Sequence, residues 1–301
     1  MERRALALVA GIATLLLLVA YRSASLFPPD KIAVSNGTSL AYTEAGNGPT
    51  VVFVHGAWAD TRAWAAERDV ISAQYRFVAY SMRYHMPNKW QDDGTQYSVA
   101  THATDLAGFI KSLNVGSVHV VAHSYGGQVA AQLAVEHPEL VKTLVLEEPS
   151  IYTVLDSPEG EAAAREFLKS NPQAEEALKN GDSLKATQIR MNAVLGDPDG
   201  WNKLPAPVIQ MLSDNAKTTG PLMHEPAPPP MDCKKVGTIR TPTLLIEGDR
   251  SIAFFHVIDD TLARCRPGTE RVVIARSDHM MQVRNPEALN EAILKFLQKH
   301  S

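Results

Sequence analysis

Five short apolar runs constrain the fold more than anything else in this chain. They are Thr50-Val51-Val52-Phe53-Val54, Val118-His119-Val120-Val121-Ala122, Thr143-Leu144-Val145-Leu146, Thr243-Leu244-Leu245-Ile246 and Arg271-Val272-Val273-Ile274. None alternates polar with apolar residues. A strand that is apolar without alternation is covered on both faces, which is the pattern of a parallel sheet. Helical patterns lie between the runs, among them His102 to Leu113 and Gly127 to Glu136, the latter ending before Pro138. Strands alternating with helices predict an α/β fold, a mostly parallel central sheet flanked by helices.

One stretch breaks the rhythm. Residues 151–235 hold no convincing strand, only helical segments: Glu159 to Lys169, Gln173 to Leu178, Lys185 to Leu195 and Pro207 to Asn215. A proline cluster, Pro226 to Pro230, follows as a stiff connection. The predicted organisation is a core over 31–150 and 236–301, with a helical cap over 151–235. Inserted after the sixth strand, that cap would lie over the strand ends as a lid.

The N-terminus has a separate logic. Met1-Glu2-Arg3-Arg4 precedes an uncharged stretch from Ala5 to Ala20. A basic start and an apolar run make residues 1–25 an export signal or an uncleaved membrane anchor. In either case Arg3 and Arg4 stay in the cytoplasm and the remainder is periplasmic or extracellular. The chain has 301 residues, 45% apolar and 21% charged, with a net charge of −4 and no basic block, so nucleic acid is not the expected partner. The two cysteines, Cys233 and Cys265, fit an exported protein with one disulfide, and equally two unrelated thiols. No cysteine or histidine spacing suggests a metal.

The chemistry starts at Val120-Val121-Ala122-His123-Ser124-Tyr125-Gly126-Gly127. An apolar strand runs into a serine flanked by small residues, and a helix follows. That is the pattern of a nucleophile elbow, a sharp strand-to-helix turn that exposes the serine hydroxyl. The helix N-terminus behind Ser124 favours developing negative charge. The usual small residue two places before the serine is glycine; here it is Ala122.

With these residues the chain, from about Val34 to Leu297, resembles the α/β-hydrolases. Val54-His55-Gly56-Ala57-Trp58 resembles the family's turn after the third strand. That resemblance implies an oxyanion hole made by the backbone N–H groups of Ala57 and Tyr125. His55 is read as holding the turn. His279, in Ala275-Arg276-Ser277-Asp278-His279-Met280-Met281, stands where the family's catalytic base follows the last strand. The acid is less regular. In many members it follows the seventh strand as GxxD, but here Gly248 is followed at that spacing by Ser251, and Asp249 comes two residues early. Other members carry the acid after the sixth strand, where Glu147-Glu148-Pro149 stands. Neighbouring strand residues face opposite ways, so one of the two glutamates faces the site. Glu148 is the first choice, held extended by Pro149, and Asp249 the alternative. His123, beside Ser124, is a further residue of the site.

The resemblance implies a serine hydrolase acting on a carboxylic ester of a mostly apolar small molecule. Ser124, His279 and Glu148 would be the triad, with no cofactor. A serine at the elbow departs from the haloalkane dehalogenases and epoxide hydrolases of this fold, which use aspartate there. Lactone, amide or C–C bond hydrolysis, a cofactor-free oxygenase and a non-catalytic receptor stay open. The cap residues expected near the substrate are Met191, Leu195, Trp201, Ile209, Met211, Leu212 and Asn215, with Trp58 and Tyr125 from the core.

Overall fold

The computed structural model describes residues 29–301. The leader or anchor read at residues 1–25 lies outside them. Eight strands make one sheet: β1 (Lys31–Ser35), β2 (Thr38–Ala45), β3 (Thr50–Val54), β4 (Arg76–Tyr80), β5 (Val118–His123), β6 (Val141–Glu147), β7 (Thr243–Gly248) and β8 (Glu270–Ile274). Their order across the sheet is β1-β2-β4-β3-β5-β6-β7-β8. The β1–β2 and β2–β4 pairs are antiparallel, and every pair from β4–β3 to β7–β8 is parallel. The mostly parallel sheet is therefore the one expected.

The burial of each strand follows its place. β3, β5 and β7 are buried along their whole length because helices cover both faces. β8 departs from the expectation. It is the edge strand, its exposure alternates, and Val273 is 56% exposed, so its apolar run is covered on one face only. At the other edge β1 also alternates, with Ile32 and Val34 outward and Ala33 and Ser35 inward.

The helices are α1 (Ala65–Ser72), α2 (Val99–Ser112), α3 (Tyr125–Glu136), α4 (Pro158–Leu168), α5 (Asn171–Lys179), α6 (Ser183–Leu195), α7 (Ala206–Asp214), α8 (Thr219–Met223), α9 (Cys233–Val236), α10 (Ala253–Cys265), α11 (Met281–Arg284) and α12 (Pro286–Lys299). Local chemistry sets several starts. The Ser98 side chain accepts the Thr101 N–H before α2, and Asn285 accepts the Ala288 N–H before α12, whose first residue is Pro286.

Helices α4 to α8 all fall between β6 and β7, with no strand among them. They are fastened to the core by specific contacts. Asn215 accepts the Met86 N–H at 2.8 Å and donates to Asp60 Oδ2 at 2.8 Å. Arg62 joins Asp60 at 2.6 Å to Asp214 at 2.8 Å. The Phe167 ring of α4 stacks on Phe254 of α10 with centroids 4.2 Å apart. The returning chain is held where the Met231 N–H donates to Thr153 Oγ1.

Cys233 and Cys265 are bonded to each other, with Cα atoms 4.9 Å apart, which joins α9 to α10 beside β7. Closing a segment of 32 residues restricts the unfolded chain. Cys265→Ser is expected to lower the unfolding free energy of the oxidised protein by about 2–4 kcal/mol in urea titrations. An unchanged midpoint would show that the bridge contributes nothing.

Candidate active site

The site begins with a backbone constraint. β5 ends at His123, and Ser124 has φ 54° and ψ −119° before α3 begins at Tyr125. A non-glycine residue in this left-handed region is strained and persists only where its surroundings hold it. Here the Ser124 N–H donates to Glu147 O at 2.9 Å, and Ser124 O accepts the N–H groups of Gly127 and Ser150. A Cβ on Gly126 would come within 2.3 Å of His55 O, so the turn after β3 and the turn after β5 touch through that glycine. Ala122 is fully buried behind the serine. Ser124 itself is partly exposed.

The Glu148 carboxylate makes two directed bonds. Its Oε1 accepts the Gly248 N–H at the tip of β7 at 2.7 Å, and its Oε2 accepts His279 Nδ1–H at 2.6 Å. Glu148 is fully buried and His279 is 2% exposed. Because Nδ1 donates, Nε2 is left unprotonated in the neutral ring and can take a proton. The extended backbone expected before Pro149 is not what forms. Glu148 has φ 42°, in the left-handed region. The chain turns there because the Glu148 N–H donates to Ile246 O at 3.0 Å and the next residues return to the elbow, with the Ser150 N–H on Ser124 O. Glu147 is also fully buried, but neither of its oxygens bonds His279.

Asp249 has a different task. It accepts the Ser277 N–H at 3.0 Å, and its own N–H donates to Ile274 O, so it pins the loop that carries His279. The ring of His279 has two ring neighbours. Phe255 stacks on it at 3.9 Å between centroids, and His123 lies at 4.5 Å. His123 Nε2–H donates to His279 O at 2.9 Å, which fixes the tautomer, and burial keeps its pKa well below the ordinary value.

The turn after β3 is built as read. His55 donates from Nδ1 to Gly56 O at 2.8 Å and accepts the Met82 N–H at Nε2. Burial lowers its pKa to about 3, so it is a neutral strut. Ala57, Trp58 and Tyr125 line the space in front of Ser124.

Two cavities meet at Ser124. Ala57, Trp58, Ser124 and Val194 line both. The smaller, about 30 Å³, lies against His279 and His123 and is closed by Met191, Met211, Leu212, Met280 and Val283. The larger, about 310 Å³, runs between core and cap past Tyr125, Phe254 and Phe255. Leu195, Trp201, Ile209 and Asn215 line neither. Trp201 and Leu195 pack in the core of the molecule, and Asn215 ties cap to core.

The larger cavity also holds charge that the apolar expectation omitted. Arg190 of α6 lines it and is 7% exposed. Glu225 lines it too, and accepts Tyr125 Oη–H at 3.1 Å, while His102 Nδ1 lies 3.0 Å from the same hydroxyl. Burial raises Glu225 to about 7. Among the described residues no group of histidine, cysteine and acidic side chains is placed to hold a metal.

Residues 51–292 match the model of the alpha/beta hydrolase family. The chain belongs to that family. It is 27% identical to a 2-(acetamidomethylene)succinate hydrolase of Mesorhizobium japonicum, over 86% of this chain and 91% of the relative. It is 25% identical to epoxide hydrolase 3 of Mus musculus, over 90% of this chain and 76% of that one. The carboxylesterase CesB of Bacillus subtilis shares the fold, with a TM-score of 0.71 at 16% identity, covering 94% of this chain and 97% of that one.

Within this hydrolase the structure brings Glu148 to His279 and sets His279 and Ser124 on one cavity. It leaves Asp249 outside that contact. Arg190 and Glu225 were not singled out from sequence. Each is a lone charge in a helical or proline-rich stretch, and only the tertiary packing shows that it is buried.

The second glutamate yields a pH test. Glu147 is fully buried without a hydrogen-bond partner on either oxygen, and burial followed by the nearby Glu148 charge raises it to about 8 from 4.5. Between those values the folded chain keeps a proton that the unfolded chain releases, so rising pH favours unfolding. Glu147→Gln removes that contribution. Urea midpoints of the variant are expected to fall less between pH 5 and pH 8 than those of the wild type. A slope equal to or steeper than the wild type's would contradict this assignment.

Proposed function

We propose that this protein is a serine hydrolase that cleaves a carboxylic ester through an acyl-serine intermediate. The observation that carries the reading is the Glu148–His279 hydrogen bond of 2.6 Å on a cavity shared with Ser124. His279 Nε2 takes the Ser124 hydroxyl proton as Oγ attacks the carbonyl carbon. The N–H groups of Ala57 and Tyr125 receive the oxyanion. The tetrahedral intermediate expels the alcohol, which takes its proton from His279. Water then attacks the acyl-serine, giving its proton to His279, and the acid leaves as Ser124 recovers its hydrogen. Glu148 keeps the imidazole in the right tautomer and offsets its charge when protonated. The chemistry needs side chains and backbone alone.

Two cavities meeting at Ser124 suit a bond with unequal groups on its two sides. The carboxylesterase fold neighbour supports an ester, and the Mesorhizobium relative is named for an acetamido compound, which keeps amide hydrolysis as the second reading. A serine where the fold's epoxide hydrolases use aspartate weighs against epoxide opening. We keep export as part of the proposal, by a cleaved signal or an anchor over residues 1–25. The Cys233–Cys265 bond supports an oxidising compartment. Among the described residues no helix is long and apolar enough to cross a membrane.

A fluorophosphonate is expected to label Ser124, found by peptide mass, and an ester panel to turn over. Ser124→Ala and His279→Ala should each lower kcat by about 10⁴-fold or more, and Glu148→Ala by about 10³-fold or more. Asp249→Ala should cost far less, since its carboxylate holds backbone N–H groups of the loop and not His279. No label and no turnover of esters or amides would sink the enzyme reading. Loss with Asp249→Ala but not with Glu148→Ala would move the acid to β7. Oxygen uptake without hydrolysis would favour the oxygenase.

A further inference from the structure

Arg190 is an unusual group to find in the wall of the larger cavity. It comes from α6, is 7% exposed, and its guanidinium lies 4.5 Å above the centre of the Phe167 ring. Its Nη1 donates to Phe167 O at 3.1 Å and to Ser170 Oγ at 2.7 Å. Both acceptors are neutral, and both fall on one corner of the guanidinium. Among the described residues Nε and Nη2 donate to no acceptor, and no carboxylate pairs with Arg190. The contrast with Arg83 is instructive. There the same Nε and Nη2 edge grips Asp105, at 2.8 Å for each bond. A buried cation without a counter-ion is costly, and proteins ordinarily pair it.

We propose that Arg190 binds a carboxylate carried by the substrate, on the side of the scissile bond that occupies the larger cavity. The inference rests on the ester-hydrolase reading and narrows its substrate to an acid-bearing ester. Three features support it. The Nε–Nη2 edge is a planar fork that matches a carboxylate with two parallel bonds. Nη1, fixed to Phe167 O and Ser170 Oγ, and the ring beneath hold the plane of that fork before any ligand arrives. Arg190 shares its cavity with Ser124, Ala57 and Tyr125, so one molecule can reach both ends. The burial that lowers Arg190 to about 10 still leaves it charged at neutral pH.

The same cavity sets the charge of the ligand. One guanidinium offsets one negative charge, and Glu225, which lines the same cavity, disfavours a second once it ionises. A monoanionic carboxylate therefore fits better than a phosphate dianion. Apolar residues such as Ala164, Leu168 and Leu222 line the same cavity, which suits a carboxylate carried on a hydrocarbon arm.

The test compares matched esters. Monoethyl esters of dicarboxylic acids of graded length are set against ethyl esters of monocarboxylic acids of the same length. Acetates of ω-hydroxy acids are set against acetates of plain alcohols, which covers a carboxylate on either side of the bond. The wild type is expected to favour the acid-bearing member in kcat/KM in one series. Arg190→Met should collapse that ratio by about 10- to 100-fold, and Arg190→Lys should leave it in between. Partial unfolding of a variant lowers both members alike and leaves the ratio alone. A wild-type ratio at or below one in both series, or a ratio unmoved in Arg190→Met, would overturn the proposal.

A second arm does not depend on turnover. Calorimetry with the free dicarboxylic and ω-hydroxy acids on Ser124→Ala should show binding that Arg190→Met on that background weakens by a similar factor. If no ester is cleaved but this difference in binding appears, the ester reading fails and the Arg190 site stands. If esters are cleaved and no such difference appears, the Arg190 site fails alone.

Discussion

The site depends on how one carboxylate is held. Glu148 lies just past the end of β6, yet it bonds to the tip of β7 through the Gly248 N–H and to the loop after β8 through His279. One side chain thus joins the ends of three adjacent strands. A fully buried carboxylate with two directed hydrogen bonds is strongly oriented. The Glu148 backbone sits in the left-handed region to reach that position, and Ser124 sits there as well. Both strained residues are fixed by a common set of bonds, since Ser124 N–H donates to Glu147 O and Ser150 N–H donates to Ser124 O. Strain at the elbow and strain at the acid support each other through one short piece of backbone.

Around this centre the loops have divided the work. Asp249, two residues before the position of the family's usual acid, closes the loop bearing His279 by taking the Ser277 N–H. Close approach enforces the division. A Cβ on Gly248 would come within 2.4 Å of Ser277 O, so β7 and the His279 loop are in direct backbone contact. His55 and His123, each neutral, brace the turn after β3 and the His279 backbone respectively. The cap supplies the remainder of the cavity and is anchored through Asn215, Arg62 and the stack of Phe167 on Phe254.

Much of this was legible in the sequence, for physical reasons that differ by element. Strands buried on both faces are continuous apolar runs, so β3, β5, β6 and β7 stood out. β1 was not singled out, because an outer strand alternates and its signal is weaker. Helices α4 to α7 matched their expected segments within a few residues, since capping and prolines mark their ends, whereas the short α8 was not expected. That a carboxylate past β6, not one past β7, meets His279 was legible because Ser251 cannot orient a base and adjacent strand residues face opposite ways. The backbone of Glu148 was not, since the residue before proline is ordinarily extended and only the tertiary hydrogen bonds reverse that. The charge in the cavity was hidden too. Arg190 reads as an ordinary helix surface residue until the fold sets it against Phe167 and Ser170.

The account turns on whether Glu148, not Asp249, holds the proton-bearing nitrogen of His279. Proton NMR of the folded protein observes that proton directly, because a buried imidazole N–H bonded to a carboxylate resonates far downfield. One such resonance is expected to vanish in His279→Ala, to vanish or move strongly upfield in Glu148→Gln, and to remain in Asp249→Asn. A resonance that survives Glu148→Gln unchanged and disappears in Asp249→Asn would contradict the account.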